Sequence, residues 1–107
     1  MDNDSKARKE TPIYSGVLKY FPLTIAAMAR VSFKGNERHN PGQPLHWSRS
    51  KSADHEDCVM RHLMDLEQID TDGELHAVHL AWRACAAAEL ILENQQAVAL
   101  EKQKPPK

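Results

Sequence analysis

The amino-acid sequence predicts an all-α fold, in which a unit of three helices assembles into an oligomeric helical bundle. Three observations predict this fold. Two long segments carry apolar residues at helical spacing, a third segment begins with acidic residues typical of a helix N-terminus, and no run of strand length alternates polar and apolar residues. A chain of 107 residues buries somewhat over 60% of its unfolded surface. We therefore expect one domain with one modest core.

The first helix is predicted over the segment YFPLTIAAMARVSFKGNERH. Its apolar residues, including Ile25 and Met28, fall on one helical stripe. Pro22 suits a first turn, because its missing N–H would have no partner there. Gly35 costs about 1 kcal/mol inside a helix relative to alanine. Either the helix ends near Lys34, or Gly35 is tolerated because something must approach the backbone at that point.

The second helix is predicted to begin with Ser52 as its N-cap, followed by three acidic residues in the first turns. Val59, Leu63 and Leu66 are expected to face the core. The polar sequence DTDG that follows predicts a tight turn.

The third helix is predicted over ELHAVHLAWRACAAAELILENQQAVALEKQ, an alanine-rich segment with strong helix propensity. One line along this helix carries Leu75, Val78, Trp82, Cys85, Glu89 and Leu92. About thirty residues of helix span roughly 45 Å, which exceeds the diameter of so small a domain. We therefore expect the far end to pack on another copy of the chain, in a dimer or a tetramer.

Both termini are expected to lie outside the folded domain. We predict a mobile segment over residues 1–10, a single domain over residues 11–99 and a mobile tail over residues 100–107. No apolar run of signal-peptide or membrane-spanning length occurs. Neither Cys58 nor Cys85 has a second cysteine nearby, so we interpret both as small buried hydrophobes in a reducing cytoplasm.

Acidic residues flank the long loop between the first two helices. Glu37 and Asn40 precede the loop at a spacing of three residues, and Asp54 and Asp57 follow it at the same spacing. Residues three apart on a helix share a face, and hard cations such as Mg²⁺ prefer oxygen ligands. Glu37, Asp54 and Asp57 therefore predict a site for one or two cations between the two helices. Alternatively, the two aspartates only complement the positive end of the helix dipole.

Basic side chains lie close to these acids in the sequence, among them Lys34, Lys51 and Arg61. A cation held by carboxylates and surrounded by Lys and Arg is the arrangement that a polyphosphate substrate requires. Mixed charges also occur on solvated faces, and that alternative stays open.

The histidines allow a different metal. His55, Cys58 and His62 share one helical face, and His39 with His46 could complete a tetrahedral zinc site. The spacing matches no zinc signature, however.

Other aromatic residues also have two interpretations. His62 is otherwise expected in a half-buried polar layer, with His76 and His79 on a helix surface or at an interface. Trp47 either stacks on a base or anchors the loop to the core.

Four stretches, KETPIYSGVLKYFP, GNERHNPGQPLHW, SKSADHEDCVMRHLMD and DTDGELHAVHLAWRACA, occur in this order. Together they resemble the phage-encoded dATP/dGTP diphosphohydrolases called MazZ, which belong to the MazG-like all-α pyrophosphohydrolases. The resemblance extends over residues 9–92 and includes the long block GNE-x-HNPGQPLHW followed by SKS-x-DH.

The resemblance implies cleavage of dATP and dGTP between the α and β phosphates, with Mg²⁺ or Mn²⁺ as cofactor. It also implies a phage pathway in which 2-aminoadenine replaces adenine, and hence the host cytoplasm. The superfamily binds its metals through the motifs E-x-x-E and E-x-x-D. The matching positions here are Glu37 with Asn40 and Asp54 with Asp57, and Asn40 departs from the pattern because an amide replaces a carboxylate.

The resemblance and the charges together predict the site residues. The catalytic carboxylates, which also bind the metal, are predicted to be Glu37, Asp54 and Asp57, with Asn40 as the fourth metal position. The predicted phosphate-binding residues are Lys51, Arg61 and Lys34. The predicted base or sugar pocket contains Trp47, His46 and His39. The candidate accessory residues are His55, His62 and Asp65.

Two other functions are compatible with these features. A nucleotide-binding regulator with the same fold would give no dGMP from dGTP. A helical interaction protein or DNA-associated phage protein would bind DNA in a salt-sensitive way. The net charge of -1, from 14 basic and 15 acidic residues, lacks the strongly basic footprint of a general nucleic-acid binder, so we do not expect direct DNA binding.

Overall fold

The described residues form helices and connecting loops, with no strand among them. The structure is a computed structural model that describes residues 4–105. Its elements are α1 (Ser5–Lys9), a π-helical turn (Tyr14–Leu18), α2 (Pro22–His39), α3 (His55–Met64) and α4 (His76–Gln103). The predicted all-α fold is confirmed, and α2, α3 and α4 correspond to the three predicted helices.

The helix α2 begins with Pro22 in its first turn, as predicted, and continues through Gly35 to His39. The alternative of an earlier end is wrong. A Cβ at Gly35 would meet no atom within 4 Å, so no other part of the described chain approaches the backbone here. The helix stops at Asn40, whose φ of -136° is not helical, because a residue that precedes proline disfavours the helical conformation.

The helix α3 begins later than predicted. Ser52 is not its N-cap: the first helical residue is His55, and Asp54 takes the N-cap position without a side-chain hydrogen bond to the helix. Glu56 and Asp57 lie in the first turn, where their charges complement the positive end of the helix dipole. The start of α3 is therefore set by how the preceding loop is held, and not by a capping side chain.

The helix α4 contains 28 residues and is about 42 Å long. It continues beyond residue 99, so the predicted start of the C-terminal tail falls inside a helix. Within the predicted mobile segment 1–10, α1 is helical, while residues 1–3 and 106–107 lie outside the described residues. The predicted domain boundaries stay predictions. None of the described helices is both long and apolar enough to cross a membrane.

The buried apolar side chains of the helices are small. The helix α4 packs against both α2 and α3, and the buried apolar residues are Ala27 on α2, Cys58 on α3 and Ala86 on α4. Small side chains let two helices approach closely. The burial of Cys58 is as predicted. The prediction for Cys85 is wrong, because this cysteine lies on an exposed side of α4.

Many large apolar side chains are exposed in the single chain. Leu63 and Leu66, which were expected to face the core, are 49% and 41% exposed, and Leu92 is 59% exposed. The accessible surface is 8611 Å², whereas a compact protein of this mass exposes about 6,000 Å². The radius of gyration is 16.9 Å, against about 13 Å for a compact domain of this length. The helices therefore bury little apolar surface against one another.

Candidate functional site

The loop between α2 and α3, residues 40–54 (the connecting loop), is held at its start by Asn36. This buried side chain of α2 donates from Nδ2 to the backbone carbonyl of Gln43 at 3.0 Å. Its Oδ1 accepts from Nδ2 of Asn40 and from the backbone N–H of His46, both at 3.3 Å. One amide thus satisfies three polar groups of the loop and fixes its first half to the end of α2.

The middle of the connecting loop contacts α4 through aromatic and charged groups. The ring centroids of Trp47 and Trp82 lie 5.7 Å apart with their planes at 76°. The Nε1 of Trp82 donates to Oγ of Ser32 at 2.8 Å. The guanidinium of Arg49 lies 4.5 Å from the centroid of the Trp47 ring and donates to both carboxylate oxygens of Glu93. Trp47 therefore anchors the loop, which is the second of its two interpretations.

The Arg49 ion pair shifts two carboxyl groups on α4 in opposite directions. Hydrogen bonds from Arg49 lower the pKa of Glu93. The hydrogen bond with Glu93 raises the pKa of Glu89, its neighbour one turn earlier. Like charges four residues apart on a helix repel, so the carboxyl farther from the cation keeps its proton more readily.

The connecting loop ends at His55, the first residue of α3, which is only 4% exposed. Its Nδ1 lies 3.0 Å from Nη1 of Arg83. A guanidinium has no acceptor, so Nδ1 accepts this hydrogen bond and the ring proton lies on Nε2. Among the described residues, that buried Nε2 has no hydrogen-bond partner. His55 thus combines a fixed orientation with an N–H donor that has no partner in the chain.

A groove of about 340 Å³ lies between the start of α3 and the middle of α4. Its volume falls in the range of small-ligand sites. The groove combines apolar side chains with polar ones and is lined by Ser52, Ala53, His55, Glu56, Ala87, Leu90, Ile91, Asn94 and Gln95. We call it the α3–α4 groove. It lies beside the predicted ligand Asp54, which stands between two of its lining residues in the sequence.

The three carboxylates predicted to bind metal do not form one ligand set within the chain. Glu37, Asp54 and Asp57 are all exposed, and Oδ2 of Asp54 lies 3.9 Å from Nη2 of Arg61. Within residues 4–105, no group of three or more potential ligands with ligand atoms within 4.8 Å of one another includes any of the three. Their oxygen atoms suit Mg²⁺ or Mn²⁺ chemically, but a single chain does not bring them together around one ion.

Two of the predicted phosphate-binding residues are close to the predicted metal ligands in the sequence, and the third forms contacts with the turn before α4. Lys51 and Arg61 are both exposed. In contrast, Nζ of Lys34 donates to the backbone carbonyl of Asp72 at 2.9 Å and lies 3.6 Å from Oε2 of Glu74. The structure therefore ties Lys34 to the turn before α4 and does not bring it to the connecting loop.

The residues predicted for the base or sugar pocket lie in the connecting loop or directly before it. His39, at the end of α2, and His46 are exposed, and Trp47 is half-buried. None of the three lines the α3–α4 groove. Asn40, the fourth predicted metal position, is half-buried and donates its amide to Asn36.

The predicted zinc set is not brought together in the described chain. His55 is bonded to Arg83, whereas Nδ1 of His62 lies 2.8 Å from Nδ1 of His76. Among the residues that the structure describes, no group of converging ligands contains His55, Cys58 and His62 together. Asp65, the remaining accessory candidate, is exposed at the C-terminal end of α3.

His62 is half-buried and forms a hydrogen bond with His76, which agrees with the half-buried polar layer expected for it. His76 and His79, expected on a surface or at an interface, are half-buried and lie with ring centroids 5.0 and 5.1 Å from that of His62. Burial, followed by the charges of His79 and His76, lowers the pKa of His62.

Sequence reasoning missed several residues that position the site. Asn36 and Glu93 each contact a residue of the connecting loop, and Arg83 contacts His55 at the start of α3. No local pattern reports contacts between residues so distant in the sequence. The pairing of His76 with His79 was visible as a spacing of three residues on a helix, which puts both rings on one face.

One known protein family matches nearly the whole chain. A family model described as dATP/dGTP diphosphohydrolase, N-terminal, matches residues 2–99. No curated protein and no solved structure matches the chain. The family match includes the connecting loop, α2 and α3 and most of α4, and it confirms the resemblance found in the sequence. The chain therefore belongs to the family of dATP/dGTP diphosphohydrolase N-terminal domains.

Proposed function

We propose that this protein hydrolyses dATP and dGTP to dAMP or dGMP and pyrophosphate in a metal-dependent reaction. The observation that carries the proposal is the family match over residues 2–99, because the family is described by this activity. The anchoring of the connecting loop supports it. Asn36 fixes the first half of the loop and His55 fixes its end, so Asp54 is held next to a groove of ligand size.

In this proposal the α3–α4 groove receives the purine nucleotide. Leu90 and Ile91 supply apolar surface for a purine ring, and the carboxamides of Asn94 and Gln95 can donate and accept hydrogen bonds at a base edge. His55 lines the same groove, and its Nε2–H lacks a partner in the described chain. A phosphate or sugar oxygen would satisfy that donor.

The phosphates require positive charge near the start of α3. Arg61 is exposed and stands 3.9 Å from Asp54, and Lys51 directly precedes Ser52 at the edge of the groove. We propose that both side chains bind the triphosphate, since Arg and Lys are the residues that neutralise phosphate oxygens. Lys34 is not included, because its ammonium group is occupied by Asp72 and Glu74.

Glu37, Asp54 and Asp57 are proposed as ligands of Mg²⁺ or Mn²⁺. When bound, such an ion stabilises the pyrophosphate leaving group and lowers the pKa of a water molecule. The set is incomplete within one chain, so the contribution of a single chain is to hold the three carboxylates at the two ends of the connecting loop.

The active protein is proposed to be a homo-oligomer. A single chain exposes about 2,600 Å² more than a compact monomer of its mass, which is in the range that obligate interfaces bury. Much of the exposed surface belongs to large apolar residues, including Leu23 at 86% and Met64 at 83%. A second copy of the same chain would cover this apolar surface.

The proposed setting is a phage nucleotide pathway in the host cytoplasm. Hydrolysis of dATP would reduce its competition with 2-aminoadenine nucleotides, and hydrolysis of dGTP would supply dGMP as a precursor. Expression of the protein in a bacterial host is then expected to lower the cellular dATP and dGTP pools, and unchanged purine pools would contradict this setting.

The decisive experiment is incubation with each of the four dNTPs and Mg²⁺, followed by chromatography of the products. We expect dAMP, dGMP and pyrophosphate from the purine nucleotides and loss of the reaction with a chelator. Binding of dGTP without dGMP formation would instead identify a regulator. Salt-sensitive DNA binding that ignores the chelator would identify a DNA-associated protein.

A variant pair tests the carboxylates. Asp54→Asn keeps the shape of the side chain and removes its charge, and we expect it to abolish pyrophosphate release from dGTP. The matched control is Glu101→Gln, an exposed acid near the end of α4 whose carboxylate lies 3.0 Å from Lys104. Full activity of Asp54→Asn would overturn its assignment as a metal ligand.

A further inference from the structure

Three histidines and two aspartates converge where α3, the turn before α4 and α4 itself meet. These residues, which we call the His–Asp cluster, are His62, Asp70, Asp72, His76 and His79. None of them lines the α3–α4 groove. The cluster therefore needs an explanation that is separate from the proposed nucleotide site.

The sequence DTDG builds the cluster by folding the chain back on itself. Gly73 has a φ of 86°, a conformation that favours glycine. The backbone N–H of Asp70 donates to the carbonyl of Glu74 at 2.9 Å, and Ile69 and Leu75 form an isolated bridge. The turn thus returns Asp70 to the first turn of α4, where His76 and His79 share one face.

The ligand atoms of the cluster lie close together. The Nδ1 atoms of His62 and His76 are 2.8 Å apart. Oδ2 of Asp70 lies 3.9 Å from Nδ1 of His76 and 3.7 Å from Nε2 of His79. Two sets of three atoms fall within 4.8 Å of one another: those of His62, Asp70 and His76, and those of Asp70, Asp72 and His79.

Hydrogen bonding accounts for only part of this arrangement, namely the contact between Nδ1 of His62 and Nδ1 of His76. Oδ2 of Asp70 is too far from both imidazole nitrogens for a hydrogen bond, while its Oδ1 accepts from the backbone N–H of Thr71 at 2.7 Å. Nε2 of His79 lies 2.8 Å from Oδ2 of Asp72, within ion-pair distance. The second oxygen of Asp70 thus faces a group of nitrogens without bonding to any of them.

A metal ion explains the spacing. Ligand atoms about 2.0–2.1 Å from a tetrahedral ion lie about 3.3 Å from one another. The separations among the donors of the cluster, from 2.8 to 3.9 Å, lie on both sides of that value. Small side-chain rotations would bring three of these atoms to a common centre.

We propose that His62, Asp70 and His76 bind one transition-metal ion of the Zn²⁺ class per chain. This set has two imidazole nitrogens, which suit Zn²⁺ and Co²⁺ and not Mg²⁺. The alternative set, Asp70, Asp72 and His79, has only one imidazole. The ion joins the second half of α3, the turn and the first turn of α4. These segments bury no large side chain fully, so metal binding stabilises their arrangement.

The test uses the full chain without a polyhistidine tag. Titration with Zn²⁺ by calorimetry is expected to give one ion per chain, and Co²⁺ is expected to produce visible absorption bands typical of tetrahedral coordination. His76→Ala and Asp70→Asn should each weaken Co²⁺ binding about tenfold or more. The matched controls are His79→Ala, inside the cluster but outside the ligand set, and His39→Ala, an exposed histidine at the end of α2. Both are expected to retain the Co²⁺ spectrum.

Several outcomes would overturn the proposal. These are the absence of Zn²⁺ binding, an unchanged Co²⁺ spectrum in both ligand variants, or displacement of Co²⁺ by millimolar Mg²⁺. If His76→Ala loses helix content in circular dichroism, its weaker Co²⁺ binding could reflect unfolding. The Co²⁺ affinity of Asp70→Asn then decides, because this substitution conserves the size and shape of the side chain. Zn²⁺ is also expected to raise the thermal midpoint of the wild-type chain and not that of Asp70→Asn. None of these measurements depends on nucleotide hydrolysis, so the proposal and the proposed function fail independently.

Discussion

The Oδ1 of Asn36 accepts the backbone N–H of His46 at 3.3 Å, so one buried amide on α2 holds the centre of the connecting loop. The same side chain also binds Gln43 and Asn40. Ten residues of sequence separate Asn36 from His46, and the chain between them is irregular. The loop therefore has a defined position without any secondary structure of its own.

Replacing this amide is expected to destabilise the protein. Asn36→Ala leaves the Gln43 carbonyl and two N–H groups without their partner, and we expect the free energy of unfolding to fall by about 2 kcal/mol. Denaturant unfolding measures the change. The control is Gln96→Ala, an exposed carboxamide on α4, which should have little effect. Equal stability of Asn36→Ala and wild type would contradict the role of Asn36 as an anchor.

The hydrogen bond between Trp82 and Ser32 is expected to couple α4 to α2. Trp82→Phe removes the indole N–H and Ser32→Ala removes the acceptor, which lies 2.8 Å away. In a double-mutant cycle we expect a coupling energy of about 1 kcal/mol. Strictly additive effects of the two substitutions would show that this hydrogen bond contributes nothing to stability.

The opposite pKa shifts of Glu93 and Glu89 report whether the connecting loop is docked on α4 in solution. Hydrogen bonds from Arg49 lower the pKa of Glu93 in the folded chain. The ion pair therefore stabilises the fold fully at pH values above the ordinary glutamate pKa of about 4.3. This stabilisation is lost as the pH falls through the lowered pKa of Glu93. Glu89 is expected to titrate above Glu93.

Titration of the carboxyl carbons by NMR measures both groups. In Arg49→Leu the pKa of Glu93 should rise, because its hydrogen-bond donor is gone. An identical Glu93 titration in wild type and Arg49→Leu would mean that the loop does not rest on α4 in solution.

Arg61 is expected to act on substrate binding if the proposed function holds. A hydrogen bond to a charged group contributes about 1.5–3 kcal/mol, so Arg61→Gln should raise the KM for dGTP about tenfold or more. Steady-state kinetics of pyrophosphate release gives the value. Arg8→Gln, which changes an exposed arginine on α1, serves as the control. An unchanged KM in Arg61→Gln would remove Arg61 from the phosphate site.

The exposed apolar surface predicts that folding depends on protein concentration. Obligate assemblies lose stability on dilution, because association and folding are coupled. Light scattering after size exclusion should give a mass above 12.1 kDa, and thermal midpoints should fall with dilution. Leu23→Asp places a charge on a side chain that is 86% exposed in the single chain and should lower the mass. A monomer at every concentration, with an unchanged midpoint, would contradict the assembly.

Local patterns in the sequence were sufficient for the helices but not for their packing. The spacing of apolar residues predicts α2 and α4 because it depends only on the helical period. It also indicates which face is apolar, but not what covers that face, and so Leu63 and Leu92 are exposed in the single chain. Ser52 failed as an N-cap because the contact of His55 with Arg83, 28 residues away, holds the chain where α3 begins.

The candidate site was predicted only in part, because contacts between residues distant in the sequence leave no local pattern. The charged and aromatic residues in and beside the connecting loop indicated its importance. Its anchoring by Asn36 was not visible, because that contact depends on the path of the loop. The His–Asp cluster joins His62 to His76 across a turn. Only the turn and the spacing of His76 and His79 were visible in the sequence.

The contact between Trp47 and Trp82 also makes the protein its own optical probe. These two residues are the only tryptophans of the chain, one in the connecting loop and one on α4. Intrinsic fluorescence excited through indole therefore arises entirely at the place where loop and helix meet. Release of the loop, or arrival of a nucleotide beside it, changes the emission of both rings at once, so binding and loop motion can be followed in real time without a label.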